Sequence, residues 1–264
     1  MKIITGHQPV YLPWLGLFHK IALADAFVFM DDVQYLEQDW NNRNRIKGPQ
    51  GPFWLTVPVR LRASASRQLK DVALAADGWG SQGHWQAAHW RSLQSCYRKA
   101  HYWDLYAPFF EQLYTARPWH WLAELNEVIL HYCLDTLSIR TEFIRASAAG
   151  FTGHKSDLVL DHCRRLGADV CVLGTLGRDY ICTEDFHAAG VALYFQDYQH
   201  PTYPQRFGAF CPRLSVVDLL FNCGPRSRDI LLGGNVTRED IIAAAQRAGQ
   251  PTVLQPELPA EVTP

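Results

Sequence analysis

The sequence predicts an α/β fold in which a mostly parallel sheet is flanked by helices. Short apolar runs with strand character alternate with amphipathic helical segments along most of the chain, and this alternation is typical of parallel sheets. The first such unit, residues 2–32, has the length of a strand–helix–strand repeat. Hydrophobic residues make up 48% of the 264 residues and charged residues 19%, so the chain has enough apolar side chains to cover a sheet on both faces.

The first strand–helix–strand unit carries the clearest local signals. The apolar run KIIT at residues 2–5 predicts a short buried strand. Pro9 and Pro13 exclude regular structure from the loop that follows, because proline lacks a backbone N–H group. Apolar residues at helical spacing then predict a helix over residues 14–24, and AFVFMDD at 26–32 predicts a second strand that ends in acids.

Residues 1–248 are predicted to form a single α/β domain. Aromatic residues at helical spacing predict a helical insertion over residues 84–135. Thr237 and Asp240 form a capping-box pattern at the start of the last helix. The proline-rich residues 249–264 are expected to be a disordered tail. Further strands are predicted at residues 54–60, 139–147, 169–174 and 191–198, and further helices at residues 155–166 and 183–190.

Composition and residue spacing exclude several classes of protein. The net charge of −1 argues against a general nucleic-acid coat, which depends on an excess of lysine and arginine. The seven cysteines include no CxxC pair, which indicates reduced thiols and a cytoplasmic protein. No apolar run approaches the roughly 20 residues of a membrane span. Cysteine and histidine are too scattered for a zinc site, so no metal ligand set is predicted, and no P-loop pattern occurs.

The stretch GHQPVYLPWLGLFHK at residues 6–20 connects the first predicted strand to a helix. Ligands of open α/β sheets bind outside the carboxyl ends of the strands, and the start of a helix attracts phosphate. We therefore expect a phosphate site here, with His7 stabilising the charge. Gln8 would bind the phosphate or the substrate, and Tyr11 and Trp14 would flank a purine or a sugar ring.

The same stretch is loosely similar to a signature of the nucleotidyltransferases and class I aminoacyl-tRNA synthetases. In those proteins a loop after the first strand carries an HxGH-like pattern, whose histidines stabilise the phosphates of ATP. Gly16 and His19 enter the helix in a related arrangement, although two residues separate them. The likeness favours a nucleotidyltransferase-like fold of the HUP or Rossmann-like type and adds His19 to the catalytic candidates. In the alternative interpretation, these histidines and aromatic residues only stabilise the turn and the core.

The run WNNRNRIK at residues 40–47 places Arg43, Arg45 and Lys47 at alternating positions. In an extended chain these three cations share one face, and arginine can bind phosphate or carboxylate through two parallel hydrogen bonds. The run therefore predicts an anion-binding strip, with a solvated strand edge as the alternative. Two amide side chains of the run would add hydrogen bonds to the ligand: Asn42 and Asn44.

Three further groups of residues complete the candidate site. Asp31 and Asp32 end the second predicted strand and could bind an amine or Mg²⁺. Asp218 lies four residues before Asn222 on a predicted helix, where it could orient a ligand group or hydrogen-bond a loop. The segment LGTLGRDYI follows another predicted strand, and its candidate residues are Gly174, Arg178 and Tyr180.

Long segments of the chain resemble the WbqC-like family. They include HQPVYLPWLGLFHKIALADAFVFMDDVQY, WNNRNRIKGPQGPFWLTVPV and YPQRFGAFCPRLSVVDLLFNCG, and the resemblance covers roughly residues 1–232. Members of this family occur in bacterial gene clusters for surface polysaccharide (O-antigen), and a glycine-transferase role has been suggested for one of them. LGTLGRDYI departs from the more glycine-rich run expected at that point, which weakens the prediction of a backbone anion site at residues 174–178.

The resemblance implies an enzyme that transfers an aminoacyl (glycyl) group to an amino group of a sugar or small metabolite, in surface-polysaccharide or secondary-metabolite biosynthesis. The donor would be activated by ATP with Mg²⁺ or by tRNA, which makes aminoacyl-tRNA a candidate partner. Two alternatives stay open. The first is a nucleotidyltransferase that makes an activated sugar, and the second is a non-catalytic protein that binds nucleotide-sugars or scaffolds a complex. The tryptophans within residues 79–121 could form an acceptor groove or the face of a homo-oligomer.

Overall fold

The structure, a computed structural model, describes residues 1–61, 66–75 and 85–256. A five-stranded sheet lies at its centre, and every pair of neighbouring strands in it is parallel. Helices flank this sheet, which confirms the predicted α/β fold. The sheet strands are β1 (Ile3–His7), β2 (Ala26–Phe29), β5 (Glu142–Arg145), β6 (Val170–Gly174) and β7 (Ala192–Gln196), while β3 (Arg43–Gly48) and β4 (Gly51–Thr56) form a separate antiparallel hairpin.

The order of the strands locates the point where the winding of the sheet reverses. Across the sheet the strands lie in the order β5-β2-β1-β6-β7. The chain therefore builds outward from β1 through β2 to β5, and then returns to the other side of β1 with β6 and β7. In open α/β sheets the ligand crevice lies at such a reversal, called the switch point, outside the carboxyl ends of the strands. Here the switch point falls between β1 and β6.

Helices cover both faces of the sheet because the strands are apolar on both sides. In β6, Val170 and Val172 pack with the helix at residues 238–248, whereas Cys171 and Leu173 pack with the helices at residues 156–166 and 183–188. Successive side chains of a strand point to opposite faces, so a run such as VCVLG is buried on both. The helices are α1 (Leu15–Ala22), α2 (Trp85–Tyr97), α3 (Trp103–Thr115), α4 (Leu122–Thr136), α5 (Ala146–Ala149), α6 (Ser156–Leu166), α7 (Thr183–Ala188), α8 (Val216–Cys223), α9 (Ser227–Leu232) and α10 (Arg238–Ala248).

The predicted aromatic-rich helical region folds as α2, α3 and α4, while residue 84 lies outside the described residues. Its rings belong to the largest apolar core. Phe221 of α8 stacks on Tyr97 and on Trp103, with ring centroids 5.1 Å apart in both pairs. Phe18 of α1 lies in the same core, so the helical region and the helix that follows β1 share one apolar core.

Two predicted segments differ from the structure. The strand predicted at residues 54–60 ends at Thr56, because Pro58 has no N–H group to continue the ladder with β3. Residues 58–60 bond instead to the backbone of residues 73–75. Thr252 and Leu254 hydrogen-bond to the backbone of β7, and Leu254 is buried. Burial of this leucine therefore orders part of the tail that was expected to be disordered from residue 249, and residues 257–264 lie outside the described residues.

Replacing Thr237 with alanine is expected to lower the free energy of unfolding by about 1 kcal/mol. The predicted capping box is present: the Asp240 N–H donates to Thr237 Oγ1 over 3.2 Å, and the Thr237 N–H donates to Asp240 Oδ2 over 2.8 Å. Urea unfolding measures the difference. The control is Thr115→Ala at the exposed end of α3, which removes a hydroxyl bonded only to the Glu111 carbonyl and should change stability by less than about 0.5 kcal/mol. Equal losses in the two variants would contradict a stabilising capping box.

Candidate functional site

The strands β1 and β6 separate at the switch point. Their backbone pairing ends at Thr5 and Val172, whereas β1 and β2 pair as far as His7 and Phe29. The last two residues of β1 therefore have no sheet partner on the β6 side. His7 lies at this opening, and the loop of residues 8–14 leads from it into α1.

The loop after β1 is held by the segment that enters the hairpin. Three side-chain hydrogen bonds connect the two: Gln8 Nε2 to Asp39 Oδ2 at 2.9 Å, Asn41 Nδ2 to the Pro9 carbonyl at 2.8 Å, and Asn44 Nδ2 to the Leu12 carbonyl at 2.6 Å. A proline-containing loop has few internal backbone hydrogen bonds, so its carbonyl groups are free to accept these amide donors. The segments around His7 and Arg43, which the sequence singled out separately, are therefore in direct contact.

A series of aromatic rings runs from β1 to the hairpin, and we call it the aromatic strip: His7, Trp14, Trp40 and Trp54. Neighbouring ring centroids are 5.4, 5.8 and 5.2 Å apart. The guanidinium groups of Arg43 and Arg45 lie 4.6 and 5.6 Å from the centroid of Trp54, which confirms that these two cations share a face. Their Nε atoms are shielded from solvent and have no hydrogen-bond partner among the described residues. The strip thus joins the switch point to two cations, an arrangement suited to a ligand with both a ring and a negative charge.

His7 is a neutral group that presents a hydrogen-bond acceptor. Burial and the positive charge of Lys20 lower the pKa of His7 to about 3. Its Nδ1 atom lies 2.8 Å from the carbonyl oxygen of Gln8, which can only accept, so we assign the proton to Nδ1 and leave Nε2 as the acceptor. His7 therefore suits the N–H of an amine better than the phosphate oxygen expected from the sequence.

The two adjacent aspartates after β2 have different environments. Asp31 is fully buried, and its carboxylate oxygens accept hydrogen bonds from the backbone N–H and the hydroxyl of Ser147 at 2.9 and 2.6 Å. Asp31 thus stabilises the start of α5, which leaves Asp32 as the aspartate that can meet a ligand. Asp32 is half-buried, and its Oδ1 atom is shielded from solvent without a partner among the described residues. Burial raises the pKa of Asp32 above its ordinary range.

His19 lies inside the protein, away from the role expected for it. Its Nε2 atom lies 3.0 Å from the carbonyl oxygen of Val236, and its Nδ1 atom lies 2.6 Å from the side-chain nitrogen of Gln196. Burial lowers the pKa of His19 to about 4, so the ring is neutral. Helical spacing directs this residue toward β7, and neither ring nitrogen is available to a phosphate.

Five other predicted ligand-binding residues are buried, and even the most exposed of them, Asn42, shows only 7% of its surface. Their polar atoms bond to the protein: Tyr11 to His89 at 2.8 Å, Asn42 to the Val57 carbonyl at 2.8 Å, Asn44 to the Leu12 carbonyl, Lys47 to Gln205 at 3.2 Å and to the Ala209 carbonyl at 2.5 Å, and Asp218 to Tyr97 at 2.8 Å and Tyr203 at 3.0 Å. These bonds stabilise the loop and the hairpin of the site, and they occupy polar atoms that were expected to bind a ligand.

The segment after β6 lies on the other side of the switch point as a short 3-10 helix, Thr175–Asp179. Gly174 precedes it with φ −76°, and a Cβ atom there would meet nothing within 4 Å. An alanine would fit at this position, so the glycine does not mark a close backbone contact. Arg178 lies over the ring of Phe195 at 4.3 Å, and Tyr180 is exposed. Both follow β6, the strand next to β1, at the carboxyl edge of the sheet.

Sequence reasoning misses Lys20, Trp40 and Trp54. Lys20 lies three residues after Leu17 on a helix, so the two side chains share one face. A lysine on the same face as an apolar residue can be recognised in the sequence as unusual, because lysines are rarely buried. Trp54 lies directly opposite Arg45 across the hairpin. That pairing would follow from recognising the turn at residues 48–51 between two strands.

A surface cleft of about 300 Å³ opens beside Arg43. Tyr35, Asn42 and Thr56 contribute to its lining. Within the described parts of the chain, no group of three or more His, Cys, Asp or Glu side chains could hold a metal ion. The helices described there include none that combines the length and the apolar character needed to cross a membrane.

Comparison with known proteins places this chain in a family. The family model described as "WbqC-like protein family" matches residues 8–230, which include the loop after β1, the hairpin and α8. The chain is also similar to Rv1507c, an uncharacterized protein of Mycobacterium tuberculosis: the two are 31% identical over 232 residues, which cover 88% of this chain and 98% of that protein. No solved structure matches. The chain therefore belongs to the WbqC-like protein family.

Proposed function

We propose that this chain is a cytoplasmic enzyme that transfers an aminoacyl group, such as glycyl, to an amino group of a sugar or small metabolite. The donor is activated by ATP or by tRNA, and the product enters surface-polysaccharide or secondary-metabolite biosynthesis. One observation carries the proposal: the aromatic strip connects the switch point of a parallel sheet to Arg43 and Arg45. A donor activated through phosphate has the ring and the negative charge that such a surface can hold.

The reaction requires acceptors for the protons of the amine. The amine nitrogen attacks the acyl carbon and loses a proton, and the phosphate of AMP or the ribose oxygen of tRNA leaves with the bonding electron pair. The Nε2 atom of His7 orients an amine N–H group, and the Asp32 carboxylate, whose pKa burial raises, receives the proton. Arg43 and Arg45 hold the negative charge of the donor. Such catalysis consists mainly of positioning and electrostatic stabilisation.

With ATP as the activating compound, Asp32 would also fit Mg²⁺. This ion is usually bound by one or two carboxylates together with phosphates and waters, and Asp32 Oδ1 has no partner among the described residues. When bound, the ion neutralises phosphate charge. In this ATP-dependent form Asp32 would hold the ion, and His7 would be the remaining group that faces the amine, whose proton would pass to the phosphate that leaves with AMP.

Nucleotidyl transfer is the second candidate, and the strand order favours it. The order β5-β2-β1-β6-β7 is the order in which the first five strands of dinucleotide-binding folds are arranged. A nucleotidyltransferase would use the same switch point for a nucleoside triphosphate, with a sugar phosphate as the second substrate and no amino acid.

Pyrophosphate exchange distinguishes these functions. The protein is incubated with ATP, Mg²⁺ and labelled pyrophosphate, with and without each amino acid. Exchange that depends on an amino acid supports adenylation followed by aminoacyl transfer. Exchange that depends on a nucleotide-linked sugar supports nucleotidyl transfer. When neither occurs, labelled glycyl-tRNA is offered with amino sugars: glycine transfer supports the tRNA-dependent form, and no transfer leaves a binding protein as the interpretation and contradicts our proposal.

Arg43→Gln and Arg45→Gln are each expected to lower kcat/KM for the donor about tenfold, because a hydrogen bond to a charged group is worth about 1.5 kcal/mol or more. Initial rates with the donor identified above measure the effect. The control is Arg140→Gln, which removes only an exposed ion pair with Asp135 and should leave kcat/KM unchanged. Wild-type values for both variants of the strip would contradict the proposed donor site.

A further inference from the structure

Lys20 is a buried cation for which the described residues supply no carboxylate counter-charge. It lies in the last turn of α1, and only 4% of its surface is exposed. Its ammonium group donates a hydrogen bond to the carbonyl oxygen of Gly6 over 3.0 Å. Within the described residues no carboxylate forms an ion pair with it. Buried lysines are rare without a paired charge, since removing an ammonium group from water is costly.

The Lys20 ammonium group lies at the switch point. Pairing between β1 and β6 ends at Thr5 and Val172, so the Gly6 carbonyl comes one residue beyond the last pair, where the two strands separate. Lys20 takes the place of a sheet donor for that carbonyl. An ammonium group has three N–H donors, and Gly6 accepts one of them.

The charge of Lys20 makes its surroundings electropositive. His7 stands next to Gly6, and the charge of Lys20 adds to burial in lowering the pKa of His7 to about 3. A neutral imidazole does not compensate the positive charge of the lysine, and the side chain that favours its charged form is the thiol of Cys171. The start of α1 points to the same edge of the sheet, and the positive end of a helix dipole lies there.

We propose that Lys20 binds a phosphate group of the donor at the switch point, through the N–H groups that Gly6 leaves free. The inference rests on the proposed function only in taking the donor to be phosphorylated. A phosphate supplies the missing counter-charge and short, charge-assisted hydrogen bonds. It also occupies the place where open α/β sheets bind their ligands. Arg43 and Arg45 then hold a second part of the same donor, at the other end of the aromatic strip.

Isothermal titration calorimetry on the full chain tests the proposal with three probes: ATP, UDP-glucose and inorganic pyrophosphate. We expect Lys20→Met to weaken binding of those probes that bind the wild type at least tenfold. Lys20→Arg, which keeps the charge but not the shape, should give an intermediate affinity. The control Lys99→Met, an exposed lysine beyond the end of α2, should bind like the wild type. The probe that binds most tightly identifies the source of the phosphate as a nucleoside triphosphate, a nucleotide-linked sugar or a free diphosphate.

Two outcomes would overturn the inference: equal affinities of the wild type and Lys20→Met, or no binding of any probe to the wild type at millimolar concentration. If Lys20→Met does not fold, NMR of the histidine rings in the wild type replaces it. A probe bound at Lys20 must then shift the His7 ring resonances and leave those of the exposed His120 unchanged. Phosphate binding through Lys20 without any acyl transfer would remove the proposed function and leave this inference standing. Acyl transfer by Lys20→Met at the wild-type rate would overturn this inference and leave the proposed function standing.

Discussion

Replacing Asp218 with alanine is expected to lower the free energy of unfolding by about 3 kcal/mol, because two buried hydroxyl groups lose their acceptor at about 1–2 kcal/mol each. Asp218 is fully buried and accepts hydrogen bonds from Tyr97 and Tyr203. Burial raises the pKa of the Asp218 carboxyl, while the two tyrosine hydroxyls and the Lys47 charge act in the opposite direction. The carboxylate also lies in the first turn of α8, where negative charge is favourable.

Urea unfolding of Asp218→Ala measures this loss, and a double variant identifies its cause. Adding Tyr203→Phe should raise the free energy of unfolding of Asp218→Ala by about 1 kcal/mol, since it removes one of the two buried hydroxyl groups that lost their acceptor. The surface control Asp135→Ala breaks only an exposed ion pair with Arg140 and should cost less than about 0.5 kcal/mol. If Asp218→Ala unfolds at the wild-type urea concentration, the hydrogen-bonded network does not stabilise the fold as we expect.

Lys20→Met is expected to raise the free energy of unfolding at pH 7 by about 2 kcal/mol. Burial lowers the pKa of Lys20 from 10.5 to about 8, a shift that corresponds to a penalty on the order of 3 kcal/mol for the charged form. The variant removes this penalty and loses one hydrogen bond to Gly6, worth about 1 kcal/mol. A substitution that stabilises the protein and weakens ligand binding is the expected sign of a functional charge.

The same substitution should change how stability depends on pH. Between pH 8 and 10.5 the unfolded chain keeps the Lys20 proton and the folded chain does not, so the unfolded state binds more protons and wild-type stability rises with pH. The charge of Lys20 therefore destabilises the folded state below pH 8, and this effect disappears above pH 10.5. The free energies of unfolding of the wild type and Lys20→Met should differ less at pH 10 than at pH 7. The free energy of unfolding of Lys99→Met should follow that of the wild type at both pH values. A constant difference would contradict a lowered pKa of Lys20.

Elements with strong local signals are predicted closely from the sequence. The helix predicted at residues 155–166 is α6, and Gly167 ends it with φ +63° as a left-handed cap. The extended chain predicted around Arg43 is β3, and the capping box predicted at Thr237 starts α10. These features depend on groups a few residues apart, which is the range over which caps, turns and hydrophobic periodicity act.

The candidate site is predicted only in part. The opening loop and the arginine run are adjacent in the structure. The spacing of residues in the sequence, however, does not show which side chains of the two segments hydrogen-bond to the protein and which are left to bind a ligand. Asn44 bonds to Leu12, which lies 32 residues earlier, and Asp218 bonds to Tyr97, which lies 121 residues earlier. A polar residue that completes such a distant bond has the same local pattern as one that faces a ligand.

The sequence by itself determines the alternation of strands and helices, the ends of several helices and the stretch of chain in which the candidate site lies. Only the tertiary structure decides that His19 is enclosed, that Asp31 caps a helix while Asp32 keeps an unpartnered oxygen, and that Lys20 lies where β1 and β6 separate. The physical reason is that burial and long-range hydrogen bonding depend on which distant segments pack together. Local periodicity assigns a side chain to a face of its own element, and the partners across that face are chosen by the fold.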